Sequence, residues 1–294
     1  MAHLGDYAGA IEALRGAMEL VPGWAAGWFR LGEYYETAGE TEAAAEAWDR
    51  AVAADPRDPL GAGLRRDLLR GVPVAESMPP AFVELLFDQY APRFERSLVG
   101  KLGYRGPALL LEALRGQGFE RAANALDLGC GTGLMGEVLR PFCDRLEGYD
   151  ISAGMLGEAA AKGVYDALEK RDIGVMAPIL PRYDLIVAAD VFIYLGALER
   201  VIGWCAGALA PGGRLAFTLE LGEAPVQLRE SRRFAHSRDY VQGLLDEAGF
   251  GSSQLTECVL RQDRGEDVAA LLVTAQAQVR VLDREGDGET EVLA

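Results

Sequence analysis

The sequence is short of the residues that bind metal ions or form disulfide frameworks. It has two histidines, His3 and His236, and four cysteines that lie far apart and form no CxxC pair. Because zinc sites and disulfide frameworks need suitably spaced ligands, we expect buried free thiols and no metal centre. A catalytic metal would have to be held almost wholly by carboxylates, so metal-dependent chemistry is not predicted.

Basic charge and long hydrophobic runs are scarce as well. The chain has 29 basic and 45 acidic residues, a net charge of -16, so it would repel nucleic-acid phosphates and anionic membranes. It shows no apolar run long enough for a membrane span and no secretory signal pattern. We therefore expect a cytoplasmic protein without nucleic-acid or membrane partners, whose partner is a small molecule or a peptide.

The N-terminal part, residues 1–56, repeats with the period of about 34 residues that is typical of the tetratricopeptide repeat (TPR). Small residues in this pattern let paired helices approach closely, and a proline ends the second helix. The register covers about one and a half repeats, and the segment is either a capping platform or a peptide-binding groove. The positions that match are Ala10, Leu14, Ala17, Pro22, Trp28, Leu31, Gly32, Tyr35, Ala44, Trp48, Ala51 and Pro56.

The composition and the hydrophobic pattern of the rest of the chain change at two points. Residues 57–80 are rich in proline and glycine and are interpreted as a linker with a short basic helix. After two amphipathic helices, short apolar runs alternate with helical patterns, which predicts βαβ units and a mostly parallel sheet. Residues 281–294 form an acidic tail that we expect to be loose. Strands are predicted at 125–128, 146–150, 167–172, 185–189 and 214–219, a helix at 134–142, and a terminal β-hairpin at 253–261 and 268–276.

The segment 125–133, ALDLGCGTG, carries the chemistry, because a strand leads there into a glycine-rich turn that opens a helix. Glycine lets a ligand approach the backbone, and the N–H groups of the turn favour a carboxylate or phosphate. Asp150 ends the second strand, where its carboxylate can accept both hydroxyls of a ribose. Since Gly131, Gly133 and Gly136 also satisfy GxGxxG, these residues alone leave a dinucleotide site open.

A family resemblance favours a different ligand. Residues 127–133, DLGCGTG, resemble the signature of class I S-adenosylmethionine (AdoMet)-dependent methyltransferases. Residues 183–190 resemble the fourth strand of that family, and residues 209–215 resemble the turn into its fifth strand. With its repeats, the chain is similar to bacterial TPR-containing methyltransferases. The resemblance implies a Rossmann-like α/β domain over 81–280, with a seven-stranded, mostly parallel sheet and a C-terminal antiparallel hairpin, after the all-α TPR-like segment.

The resemblance also implies which residues bind the cofactor, AdoMet. The glycine turn and Asp127 would hold the methionine end, Asp150 the ribose, and Asp172 the adenine amine. The alternative for Asp172 is a helix cap or a solvated loop charge. Tyr90 and Phe94 share one helix face and would form a lid, or else they are ordinary core aromatics. The full predicted set is Tyr90, Phe94, Asp127, Gly129, Cys130, Gly131, Gly133, Asp150, Ile151, Met155, Asp172, Ile173, Asp190 and Val191.

The acceptor side is predicted from position alone. Phe192, Ile193 and Tyr194 follow the fourth strand and should line the acceptor pocket. Tyr194 and His236 are the candidate catalytic residues, and His236 would act as the base if a hydroxyl is methylated. The alternative for His236 is a helix-cap neighbour or an exposed loop residue.

These residues predict methyl transfer to an oxygen or nitrogen atom of a small molecule by in-line displacement. Residues 1–56 should not contribute to cofactor binding. The competing hypotheses are a protein or peptide methyltransferase that uses the TPR segment, a TPR scaffold with a defunct cofactor fold, and an NAD-linked oxidoreductase.

Overall fold

The computed structural model describes residues 7–71, 78–100, 102–263 and 265–278. The predicted acidic tail at 281–294 and the linker residues 72–77 lie outside the described residues. The helices are α1 (Tyr7–Leu20), α2 (Ala25–Ala38), α3 (Thr41–Ala54), α4 (Ala62–Arg70), α5 (Pro80–Tyr90), α6 (Phe94–Leu98), α7 (Gly106–Gly116), α8 (Leu134–Leu139), α9 (Ala153–Lys162), α10 (Glu199–Ala208) and α11 (Arg238–Glu247). The strands are β1 (Ala122–Leu128), β2 (Cys143–Asp150), β3 (Ala167–Lys170), β4 (Tyr183–Ala188), β5 (Leu209–Leu221), β6 (Val226–Leu228), β7 (Phe234–His236), β8 (Phe250–Asp263) and β9 (Glu266–Ala277).

The first four helices form the repeat segment, each packing against the next along the chain. Trp48 of α3 is fully buried, and its Nε1 donates a hydrogen bond to the Phe29 carbonyl at 3.1 Å. A Cβ at Gly32 of α2 would overlap with the Trp48 ring, so glycine is required for this close approach. The small and aromatic positions of the repeat pattern therefore make the contact between α2 and α3.

The remaining helices surround a large sheet. Strands β1 to β5 are parallel in the order β3-β2-β1-β4-β5, and β9 runs antiparallel to β5 and to β8. One hydrophobic cluster includes Leu126 and packs under α10 and α11, whereas a second includes Ala125 and packs under α7 and α8. Because neighbouring strand residues point to opposite faces, helices cover both sides of the sheet. The predicted fold class is confirmed.

Two short strands extend the sheet beyond the seven strands that the sequence predicts. The end of β5 pairs in parallel with β7, Glu220 opposite Ala235, and β6 pairs antiparallel with β7. Each of these strands has three residues, too few for a period-two pattern to be recognised. Among the described residues the sheet has nine strands, and β6 and β7 form a hairpin beyond the carboxyl end of β5.

This β6–β7 hairpin is where the repeat segment meets the sheet domain. Leu64 of α4 packs with Met78, Phe82, Leu228 and Phe234 in one buried cluster. The Met78 N–H donates to the Tyr194 carbonyl at 3.2 Å, which ties the start of α5 to the turn after β4. Helix α4, the last helix of the repeat segment, therefore lies close to the residues that follow β4.

One helix ends earlier than predicted. The pattern predicts a helix over 134–142, but α8 ends at Leu139 and a single 3₁₀ turn, Arg140–Phe142, follows. Pro141 explains the difference, because it donates no N–H and disfavours helical backbone before it. Within the described parts of the chain, none of the helices combines the length and the apolar composition that a membrane span requires.

Candidate active site

The glycine turn after β1 is shaped by close approach to the next strand. Gly129 has a φ of 64°, and a Cβ there would overlap with the Val191 side chain at the end of β4. Gly131 has a φ of 53°, and a Cβ there would meet no atom within 4 Å. Only glycine adopts such backbone angles without strain. The turn is therefore tight against β4 at Gly129 and open at Gly131.

A cavity of about 620 Å³ lies beside this turn, at the carboxyl ends of the parallel strands. Its wall includes 13 of the 14 predicted cofactor residues. The exception is Gly133, which begins α8 with a φ of 90° and faces the Tyr165 ring instead. The predicted residues in the wall are Tyr90, Phe94, Asp127, Gly129, Cys130, Gly131, Asp150, Ile151, Met155, Asp172, Ile173, Asp190 and Val191.

Asp150 is held in the cavity wall by main-chain hydrogen bonds. Its Oδ2 accepts from the Gly131 N–H at 2.9 Å and its Oδ1 from the Ser152 N–H at 2.8 Å. Burial raises the pKa of the Asp150 carboxyl, although these N–H donors oppose the shift. Each carboxylate oxygen can accept a further hydrogen bond, so both remain available to a pair of hydroxyl groups in the cavity.

Asp127 has an unsatisfied oxygen beside the same turn. The Tyr165 hydroxyl donates to its Oδ2 at 2.7 Å, whereas its buried Oδ1 has no partner among the described residues. Burial raises the pKa of Asp127 to about 7, and the charge of Asp150 adds to this shift. A buried acceptor without a partner is costly, so a cationic donor in the cavity would be stabilised there.

Asp172 follows β3 and combines the two roles that the sequence leaves open. Its Oδ1 accepts from the Gly174 N–H at 2.8 Å and caps the turn Ile173–Val175. The residue also lines the cavity, beside Ile173. Its Oδ2 makes no hydrogen bond within the described residues, so it can accept from a ligand.

Aromatic side chains from α5 and α6 cover the cavity. Tyr90 and Phe94 meet edge to face with ring centroids 5.8 Å apart, and both line the cavity. Phe87 packs edge to face on Tyr194 at 5.3 Å. Hydrogen bonds hold these helices down, since Asp88 accepts from the Ser152 hydroxyl at 2.6 Å and Glu95 accepts from the Thr132 hydroxyl at 2.7 Å. These hydrogen bonds fix both helices beside the glycine turn.

At the other end of the cavity, a buried ion-pair network holds the end of β4. Asp190 has a φ of 58°, unusual for a residue other than glycine, and its N–H donates to the Thr218 hydroxyl at 2.9 Å. Both oxygens of Asp190 lie 2.7 Å from Nη1 of Arg261, a fully buried residue whose Nη2 donates to Glu220. Burial raises the pKa of the Asp190 carboxyl, although Arg261 opposes the shift. Arg261 thus bridges two carboxylates, one that follows β4 and one on β5.

His236 does not line the cavity, which corrects the position inferred from the sequence. It is fully buried in β7, its Nε2 lies 2.8 Å from the Gly196 carbonyl, and its ring stacks on Tyr240. Burial lowers the pKa of the imidazole, which disfavours its protonated form. Phe192 and Ile193 are also buried in the fold rather than in the cavity wall, and of the predicted acceptor residues only Tyr194 lines the cavity.

Sequence reasoning missed several residues of the wall at the Tyr194 end. Arg233, Tyr104 and Met78 line the cavity there, and none belongs to a strand-end motif. Arg233 precedes β7, a strand too short to be predicted, and Met78 falls in the segment interpreted as a linker. Among the described residues, no cluster of three or more His, Cys, Asp or Glu side chains is arranged to hold a metal ion.

Comparisons with known proteins agree with this architecture. A family model described as a methyltransferase domain matches residues 101–251, and one described as a tetratricopeptide repeat matches residues 2–68. Human methyltransferase-like protein 27 is 31% identical over 54% of this chain and 67% of its own length. The malonyl-[acyl-carrier protein] O-methyltransferase of Enterobacter lignolyticus is 26% identical over 60% of this chain and 69% of its own length.

A solved structure shares the fold. The structure of DhpI in complex with S-adenosylhomocysteine (SAH) superposes on this chain with a TM-score of 0.52 at 20% identity. The match covers 68% of this chain and 98% of that chain. The methyltransferase match covers more than half of the chain and contains the glycine turn, Asp150 and the end of β4. The chain therefore belongs to the class I AdoMet-dependent methyltransferases and carries a tetratricopeptide-repeat segment before the methyltransferase domain.

Proposed function

We propose that the protein transfers the methyl group of AdoMet to an oxygen or nitrogen atom of a small molecule held in the roofed cavity. The observation that carries this proposal is the continuity of the cavity, which runs from the glycine turn to Tyr194 and Arg233. Its volume of about 620 Å³ is in the range of small-molecule sites. Both a cofactor and an acceptor can therefore approach the end of β4 from one enclosed space.

The residues at the glycine turn fit the cofactor. Asp150 has the acceptor capacity for two ribose hydroxyls, and Asp172 with Ile173 suits the adenine. Asp127 Oδ1 lacks a donor, which an ammonium group at the methionine end would supply. The open space at Gly131 is where a Cβ would obstruct the ligand. When bound, AdoMet supplies an activated methyl group on a sulfonium.

The protein contributes alignment and exclusion of water. Tyr90 and Phe94 cover the cavity, and Tyr194 lies on the acceptor side of Asp190 and Val191. Holding two reactants in line can lower the barrier by roughly 7–11 kcal/mol. The described wall of the cavity contains no histidine. Amine and carboxylate acceptors, which react without a strong base once they are in the unprotonated form, therefore suit this site.

An oxygen acceptor has support from a relative, since the E. lignolyticus protein is named as an O-methyltransferase. A peptide acceptor delivered by the TPR segment is the competing proposal. It is weakened by the fact that all described residues of the cavity wall lie at Met78 or later in the chain. It is favoured by the packing of α4 against the β6–β7 hairpin, whose second strand begins next to Arg233.

The test is to incubate the protein with AdoMet labelled on the methyl group and with a cell extract separated by size. We expect label in the small-molecule fraction and formation of SAH. Label confined to proteins or peptides would support the competing proposal instead. Binding of SAH, measured by calorimetry, tests the cofactor site independently of any acceptor.

A further inference from the structure

The cationic side chains of the cavity wall are separated between its two ends. Within the described residues, Arg171, Arg200 and Arg233 are the cations that line the cavity. Arg171 follows β3, and Arg200 lies on α10, which packs against the turn Ile173–Val175. Both belong to the end proposed for the adenine. Arg233 alone lies at the opposite end, beside Tyr194.

Arg233 is held in place by carboxylates that it meets only at long distance. Its Nη1 lies 3.4 Å from Asp263 and 3.9 Å from Glu220, long distances for an arginine–carboxylate pair. Glu220 accepts a hydrogen bond from Arg261 and lies 3.8 Å from Arg229, so Arg233 is not its nearest cation. Asp190 is likewise paired with Arg261 through both oxygens. The guanidinium of Arg233 therefore retains hydrogen-bonding capacity toward the cavity.

The surroundings of Arg233 strengthen its interaction with an anion. The side chain is 25% exposed, so a ligand charge in contact with it would be shielded from water. Tyr194 interacts with the guanidinium and adds a hydroxyl group beside it. Met78, Val83 and Phe87 provide apolar wall at the same end. This combination suits a molecule with an apolar body and one anionic group.

We propose that Arg233, with Tyr194 beside it, binds a carboxylate group of the methyl acceptor. This inference rests on the proposed function, because it assigns the substrate class of the same cavity. A planar guanidinium matches a carboxylate with two parallel hydrogen bonds. A phosphate would fit the same fork but carries close to two charges, and one cation faces it at this end. The carboxylate is therefore the better match.

The test uses the full chain saturated with SAH and three probes of similar shape: 4-phenylbutanoate, 4-phenylbutanamide and 4-phenylbutyl phosphate. Calorimetry should give a dissociation constant at least about tenfold lower for the carboxylate than for the amide. In Arg233→Leu the carboxylate should bind about 10- to 100-fold more weakly, close to the amide. Arg233→Lys should retain part of the preference, since it keeps the charge without the fork.

Arg238→Leu is the matched control, because it removes a partly exposed cation that does not line the cavity. Its carboxylate affinity should stay within about twofold of the original protein, because Arg238 pairs with Glu257 outside the described cavity wall and solvent screens its charge. Should Arg233→Leu not fold, Arg233→Gln serves in its place with the same expectation. SAH affinity should be unchanged in the Arg233 variants, which shows that the fold and the cofactor site are intact.

The proposal is overturned if the amide binds as well as the carboxylate, if the phosphate binds more tightly than the carboxylate, or if Arg233→Leu binds the carboxylate normally. It is also overturned if no carboxylate binds at all to protein that binds SAH. If SAH itself does not bind, the proposed cofactor site is wrong. The carboxylate titration is then repeated on the free protein, so the two failures are distinguishable.

Discussion

The two ends of the cavity are built by different means. At the glycine turn, Asp150 is held by the N–H groups of Gly131 and Ser152, so the backbone itself forms the site. At the Tyr194 end, side chains from distant segments hold each other, since Arg261 joins Asp190 to Glu220. Main-chain geometry tolerates side-chain changes nearby, whereas a buried charge network depends on every member. The ends should therefore respond differently to substitution.

The largest effect is expected from Arg261→Met. This change leaves Asp190 and Glu220 buried without their cation and should lower the free energy of unfolding by about 3–5 kcal/mol. Urea denaturation measures it, with Arg238→Met as control, because Arg238 is 43% exposed and pairs with Glu257 at 3.4 Å. That control should cost less than about 1 kcal/mol. Equal losses in the two variants would show that the buried network contributes no more to stability than an exposed ion pair.

Asp150→Ala should have the next largest effect, on SAH affinity. Loss of two charge-assisted hydrogen bonds to the ribose should raise the dissociation constant about 30- to 1000-fold, or roughly 2–4 kcal/mol. Asp144→Ala is the control, since Asp144 lies on the same strand and pairs with exposed Arg121 far from the cavity. Calorimetry that finds the same SAH affinity in Asp150→Ala and the original protein would rule out the ribose assignment.

The pH dependence of SAH binding should be smaller and should come from Asp127. Burial raises the pKa of this carboxyl to about 7, so it is protonated in the free protein at lower pH. A neutral carboxyl must lose its proton to bind an ammonium group through Oδ1. SAH affinity should therefore rise by up to about tenfold per pH unit between pH 5.5 and 7 and then level off.

Asp127→Asn removes this titrating group and should make SAH affinity nearly independent of pH over the same range. The stability of the free protein provides a second measurement with the opposite sign. The unfolded chain releases the Asp127 proton near pH 4 while the folded protein keeps it to about pH 7. The contribution of Asp127 to stability therefore falls as pH rises through this interval. A pH dependence of binding that persists in the Asn variant would assign it to another group.

The smallest effect is expected from removing the repeat segment. A chain that begins at Met78 keeps every described residue of the cavity wall, so its SAH affinity should stay within about twofold. It loses the packing of Leu64 on Phe82 and Phe234, so its melting temperature should fall. Calorimetry on folded truncated protein checks this. A marked loss of affinity would mean that the repeats shape the cofactor end as well.

The sequence predicts the glycine-turn end of the cavity better than the Tyr194 end, for a physical reason. The glycine turn and Asp150 are recognisable because backbone geometry requires glycine and a strand-end carboxylate at a short, regular spacing. Arg261 and Asp190 are 71 positions apart, and only the pairing of β8 through β9 to β5 brings them together. No local pattern reports such a contact.

His236 illustrates the same limit of prediction from the sequence. Its position before α11 suggests a place at the strand ends, and the strands predicted from the sequence end at 219 and resume at 253. Residues 222–236 instead form the β6–β7 hairpin, which buries the imidazole and brings Arg233 to the cavity. Three-residue strands are too short to show a recognisable pattern. The sequence therefore does not indicate that Arg233 reaches the cavity, and His236 is predicted there instead.

The position of the β6–β7 hairpin also bears on how such a protein can diversify. It lies between β5 and α11, and among the described residues its pairing with the parallel strands is confined to the last residues of β5. Insertions and replacements in such a hairpin leave the hydrogen-bond ladders of the parallel strands intact. Substitutions in residues 222–236 can therefore change the acceptor while the cofactor end of the cavity stays the same.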